Sequence, residues 1–151
     1  MDFLGQLGLG LALGLAAIGS ALGIGAAGRA AAGAWAKEAK AGKPLNFLYV
    51  ALTGMPLTQT IYAFLLLLVG LKAAAYSPDV LGPNAGAMFG IGLACGLGEL
   101  FSAWMQGLIG AAAVRCMCEG EGKGFPFLII AMGIAETVGL LSFVFLWLML
   151  P

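Results

Sequence analysis

The sequence has no histidine, and only 9% of its 151 residues are charged. A water-soluble domain of this size carries roughly 25% charged residues to cover its surface, so a soluble globular fold is excluded. The few charges also balance, seven basic against seven acidic. That removes the basic field expected of a nucleic-acid-binding protein, and no nucleic-acid partner is expected. Cysteine is scarce as well. Cys95 lies in an apolar run, and Cys116 and Cys118 form a lone Cys-x-Cys beside a polar break. Without histidine or a second cysteine pair, a soft transition metal has no ligand set, and the cysteines read as structural or incidental. The glycines are not followed by the Gly-Lys-Ser/Thr of a phosphate-binding loop, so no catalytic ATP site is expected on this chain.

What remains is 62% hydrophobic and rich in glycine, with 25 of them. The start, Met1-Asp2-Phe3-Leu4, lacks the basic region of a secretory signal, which predicts a retained first span. Polar breaks then divide the chain into four apolar stretches, each at least the roughly 20 residues that a bilayer-crossing helix needs. The predicted helices cover about Phe3 to Trp35, Asn46 to Ala75, Ala85 to Val114 and Phe125 to Leu150. Lys37, Lys40 and Lys43 crowd the first break, and Arg115 and Lys123 flank the third. Only Lys72 lies near the middle one. By the positive-inside rule the first and third breaks face the cytoplasm and both termini lie outside.

The chain repeats itself. An offset of 77 residues pairs Met55 with Met132, Gln59 with Glu136, Thr60 with Thr137 and Gly19 with Gly96, without a gap. The predicted fold class is therefore an all-α membrane protein of four transmembrane helices, built as two duplicated hairpins in parallel repeat. Residues 1–76 form the first hairpin, 77–84 a non-cytoplasmic connection and 85–151 the second hairpin. The first and third helices carry glycines four residues apart, the spacing that lets helix backbones approach closely. The second and fourth carry Phe64-Leu65-Leu66-Leu67-Leu68 and Phe143-Val144-Phe145-Leu146-Trp147. This division predicts small-residue helices on an inner circle and bulky helices facing lipid. A compact four-helix monomer is the alternative.

One carboxylate, Glu136, lies near the middle of the last span. A charged group at bilayer depth is costly and marks a functional site by default. Gln59 and Gln106 fall at similar depth, and Pro56 predicts a kink that frees backbone oxygens. Tyr62 follows Gln59 by three residues and Thr58 by four, on roughly one helix face. A carboxylate, amide oxygens, a hydroxyl and a freed carbonyl are hard donors, suited to a small cation. A proton would need fewer oxygens, so Na+ is favoured, with H+ as the alternative cargo. Alternatively, Thr58, Gln59 and Gln106 only join helices by hydrogen bonds.

Three stretches, Pro56-Leu57-Thr58-Gln59-Thr60-Ile61-Tyr62, Phe101-Ser102-Ala103-Trp104-Met105-Gln106-Gly107 and Ala135-Glu136-Thr137, carry a specific likeness. With them the chain resembles the rotor-ring proteolipid, the K or c subunit, of bacterial sodium-pumping V-type ATPases. The resemblance implies a homo-oligomeric ring in the cell membrane, turned by an ATP-hydrolysing head through central stalk subunits at the cytoplasmic loops. It also implies a stator membrane subunit whose arginine displaces the ion. Carried over by position, the ligands would be Glu136, Gln59, Gln106, Thr58 and the main-chain oxygen of Met55, with Tyr62 bonding Glu136 to close the site. Glu99 departs from the pattern. It is either a protonated acid bonded to nearby backbone, a modifier of ion binding, or a group facing the ring lumen. A four-helix cation-coupled multidrug exporter is a rival, but it gives no reason for a parallel repeat with the acid in one copy only.

Overall fold

A computed structural model describes residues 2–151. Among them the secondary structure is entirely helical, and four helices are long and apolar enough to cross a membrane. We label them α1 (Asp2–Lys40), α2 (Leu48–Ala75), α3 (Pro78–Glu119) and α4 (Phe125–Leu148).

The helix ends differ from expectation where capping chemistry overrides hydropathy. α1 runs past Trp35 to Lys40, since Lys37 and Lys40 in its last turn complement the helix dipole. Gly42, at φ +66°, then stops it, and Lys43 N–H donates to Glu38 C=O at 2.9 Å in a left-handed terminating turn. The segment 77–84, expected as a connection, is almost wholly helical. α3 begins at Pro78 instead of about Ala85, because a proline at the first helical position forfeits only an N–H that would lack a partner anyway. Pro83 is carried inside the helix near that same end. At its other end α3 continues past Val114 to Glu119 before Gly120 ends it. Gly122 and Gly124, at φ +82° and +92°, turn the chain into α4.

α2 is not uniform. Met55–Leu57 tightens into a 3-10 turn at Pro56, and Leu66–Leu71 widens into a π turn. The first is the expected disturbance at a proline within a helix. The second has no counterpart in the pattern of the leucine run, and such bulges commonly accompany functional sites.

α1 and α3 pack along their length, and contacts along the two helices advance together, from Gly8 against Met88 and Phe89 to Gly19 against Leu100 and Gly23 against Ala103. The two helices are therefore parallel, as two hairpins of like orientation require. A methyl at Gly92 would strike the Gly8 carbonyl, and one at Gly107 would strike the Gly23 backbone. The small side chains are what allow this approach, which supplies packing that apolar lipid cannot drive by exclusion of water. α4 lies over α3 and α2 and leaves a stripe exposed at Ile130, Ile134, Val138, Phe145 and Leu148. At roughly 3.6 residues per turn these share one face, suited to hydrocarbon.

Candidate functional site

The 3-10 turn at Pro56 aims successive α2 groups toward α3 and α4. Thr58 Oγ1 lies 2.9 Å from the Met55 carbonyl oxygen and 3.1 Å from Gln59 Oε1. Ser20 of α1 donates to the Pro56 carbonyl at 2.5 Å, and Thr60 donates to Ser20 Oγ at 2.7 Å. Side chains of α1 and α2 thus hold the carbonyls of the 3-10 turn at Met55 and Pro56.

Gln59 is fully buried and bridges α2 to α3: its Nε2 donates to Gln106 Oε1 and to Ser102 Oγ, both at 3.1 Å. Gln106, also fully buried, continues to α4. Its Nε2 donates to the Met132 carbonyl at 3.1 Å and to Glu136 Oε2 at 3.2 Å. Ser102 Oγ donates to the Ala135 carbonyl at 2.7 Å, tying the turn before Glu136 to α3. From the opposite side the Tyr62 hydroxyl donates to Glu136 Oε1 at 2.9 Å. The Tyr62 ring stacks on Phe143 with centroids 6.0 Å apart, and Phe143 meets Trp147 edge-on at 5.4 Å. This apolar layer gives the phenol one setting over the carboxyl.

All six residues singled out in the sequence, Met55, Thr58, Gln59, Tyr62, Gln106 and Glu136, therefore meet in one hydrogen-bonded web across three helices. Two serine hydroxyls that shape the web escape sequence reasoning. Ser102 precedes Gln106 by four residues, which places both on one helix face, and that spacing is the available signal. Ser20, in the glycine-rich α1, offers none. Glu99 is fully buried, but neither carboxyl oxygen has a hydrogen-bond partner. The expected bond to neighbouring backbone is not formed. Arg29 is exposed and makes no ion pair with Glu99; among the described residues the ion pair is Lys43 with Glu121, at 3.1 Å on the surface.

The web joins a single carboxylate in a mid-span position to amides and hydroxyls contributed by both hairpins, with the two hairpins parallel. The sequence pattern of the ATP synthase C-subunit family matches residues 7–69 and, again, residues 89–149. The chain belongs to that family. It is a two-repeat proteolipid, and membership makes it an ion-translocating, ring-forming component of a rotary ATP synthase or ATPase that works against a stator. No curated protein matches the chain in a direct sequence search.

Proposed function

We propose that this proteolipid is the rotor-ring subunit of a V-type, Na+-translocating ATPase of the cell membrane. Both termini lie outside, and the two hairpin loops meet the central stalk in the cytoplasm. Glu136 carries the ion, and the Gln59 and Gln106 amide oxygens, Thr58 Oγ1 and the Met55 carbonyl supply the remaining ligands. The observation that carries this reading is the hydrogen-bonded chain that brings the Met55 carbonyl, Thr58 Oγ1, the Gln59 and Gln106 amides and the Glu136 carboxyl together, through contacts of 2.9, 3.1, 3.1 and 3.2 Å, the last two donated by the Gln59 and Gln106 amide nitrogens. A proton asks for one lone pair; this many hard oxygens suit a dehydrated alkali cation.

The mechanism follows from charge and position. One Na+ on one carboxylate is neutral, so the filled site can pass through lipid without the cost of a bare charge. Tyr62 closes the site through its bond to Glu136. At the stator an arginine competes for the carboxylate, the Tyr62 and Gln106 contacts open, and the ion leaves. The acid occurs in one of two hairpins, with Gln59 at the matching position of the other. Fewer ions then cross per turn than in a ring of two-helix subunits with the same number of helices, which suits ATP-driven pumping against a steep gradient.

Carbodiimide labelling of the purified ring, read by peptide mass spectrometry, tests the cargo. The expected result is modification of Glu136 that low-millimolar Na+ suppresses and K+ at equal strength does not. Labelling of Glu136 that ignores Na+ would replace the sodium ring by a proton ring. That second reading has one observation in its favour: Tyr62 and Gln106 already donate a hydrogen bond to each of the two Glu136 carboxyl oxygens.

A further inference from the structure

At the end of the molecule that carries the hairpin loops, α1 and α3 enclose a cleft of about 260 Å³, away from the Glu136 web. Arg29 and Lys37 of α1 and Arg115 of α3 stand around it, over a floor of Ala30, Gly33 and Ala34. Arg29, Gly33 and Lys37 follow one another in four-residue steps, so they share one face of α1. A methyl at Gly33 would meet nothing within 4 Å, and the space above the floor is open. Glu119 is the one acid at the cleft, and among the described residues it forms an ion pair with none of the three bases. Three positive charges against one negative leave the cleft strongly basic.

Arg29 sets the depth. Its side chain runs back along α1, and Nη1 lies 3.6 Å from the place that a Cβ at Gly25 would take. The guanidinium therefore sits about one turn nearer mid-span than its own Cα, toward the apolar part of the helix. An unpaired charge at that depth is costly, and a basic pocket between transmembrane helices suits an anionic headgroup. Leu22 and Ile18, seven and eleven residues before Arg29, continue the same face of α1 and are exposed. Fixed positive charge thus gives way to a bare hydrocarbon track. That sequence of surfaces matches an anionic head with acyl chains better than a free anion. We propose that the cleft holds the phosphodiester of an anionic phospholipid, with its oxygens on Arg29, Lys37 and Arg115 and its chains along Leu22 and Ile18. The planar guanidinium groups can take phosphate oxygens in pairs, and Lys37 adds a point charge. This goes beyond the proposed function, since neither Glu136 nor its cargo takes part.

The test uses intact rings stripped of lipid in detergent and titrated with phosphatidylglycerol or phosphatidylcholine, with bound lipid counted by native mass spectrometry. The wild-type ring should take up phosphatidylglycerol on every protomer at concentrations where phosphatidylcholine binds little. Arg29→Gln/Arg115→Gln should raise the half-occupancy concentration of phosphatidylglycerol by about 10- to 30-fold, as expected for two basic groups near the surface. Lys40→Gln/Lys123→Gln removes the same charge at the same end but outside the cleft, and should change it by less than about threefold. Arg29 is exposed and unpaired, so Arg29→Gln alone, with a loss of about fivefold, carries the test where the double variant fails to assemble. Equal weakening in the two double variants would reduce the effect to a diffuse surface field and overturn the proposal. So would equal binding of the two lipids, or a wild-type ring that binds neither because a neighbouring copy closes the cleft. Displacement of the lipid by millimolar inorganic phosphate would make the cleft a site for the free anion and overturn the lipid assignment. None of these readouts involves Na+, so failure of Na+ to protect Glu136 remains a separate result.

Discussion

Replacing Gln106 by leucine removes the central link of the web while keeping a side chain of similar volume in a fully buried place. Three contacts go: the bond from Gln59 Nε2 at 3.1 Å, the bond to the Met132 carbonyl at 3.1 Å and the bond to Glu136 Oε2 at 3.2 Å. Gln59 keeps Ser102 as an acceptor, so the main loss falls on Glu136 and the ion. A hydrogen bond to a charged group contributes about 1.5–3 kcal/mol, and a proposed ligand oxygen is lost with it. At 1.4 kcal/mol per factor of ten, Na+ should hold the site about 10- to 100-fold more weakly. The assay is the NaCl concentration that halves carbodiimide labelling of Glu136, with native mass confirming that the ring survives. An intact Gln106→Leu ring whose half-protecting concentration stays within about threefold of wild type would refute the reasoning, leaving Gln106 as a helix-joining group only.

Other substitutions probe separate parts of the structure. Tyr62→Phe keeps the stack on Phe143 but deletes the 2.9 Å bond to Glu136, so sodium release measured by isotope washout should quicken about 10-fold, from a loss near 1.5 kcal/mol. Gly107→Ala drives a methyl into the Gly23 backbone, and ring dissociation on heating in detergent should show a loss of about 1–3 kcal/mol. Ser20→Ala frees the Pro56 carbonyl and removes the acceptor for Thr60; a stability loss of about 0.5–1.5 kcal/mol with weaker Na+ protection of Glu136 is expected, whereas unchanged protection would disconnect α1 from the site.

Polar groups stand out against an apolar sequence, which is why Glu136, Gln59, Gln106, Thr58 and Tyr62 could be picked out, and why the four spans could be counted. Hydropathy says less about where a helix stops. Tyr76 to Asn84 reads as a break because of two prolines, yet Pro78 opens α3 and Pro83 is tolerated a turn later. The π turn at Leu66–Leu71 left no trace in a run of leucines, whose hydropathy reads the same in an α turn and a π turn. Ser20 and Ser102 are small enough to pass as further close-packing residues among glycine and alanine. Only three-dimensional placement distinguishes a serine that permits contact from one that bonds across it. The sequence marked Glu99 as a departure, and its lack of any partner appears only when the neighbouring turns are in place.

The five groups gathered around Glu136 come from α2 and α3 of the same chain. Each copy can then load or discharge its cation without borrowing a ligand from the next one around the circle. Occupancy of a whole ring should follow a simple non-cooperative isotherm, with every copy behaving as an identical and autonomous unit. A mosaic ring in which some copies are disabled should keep full affinity in the rest, so that damage subtracts capacity and leaves tuning untouched.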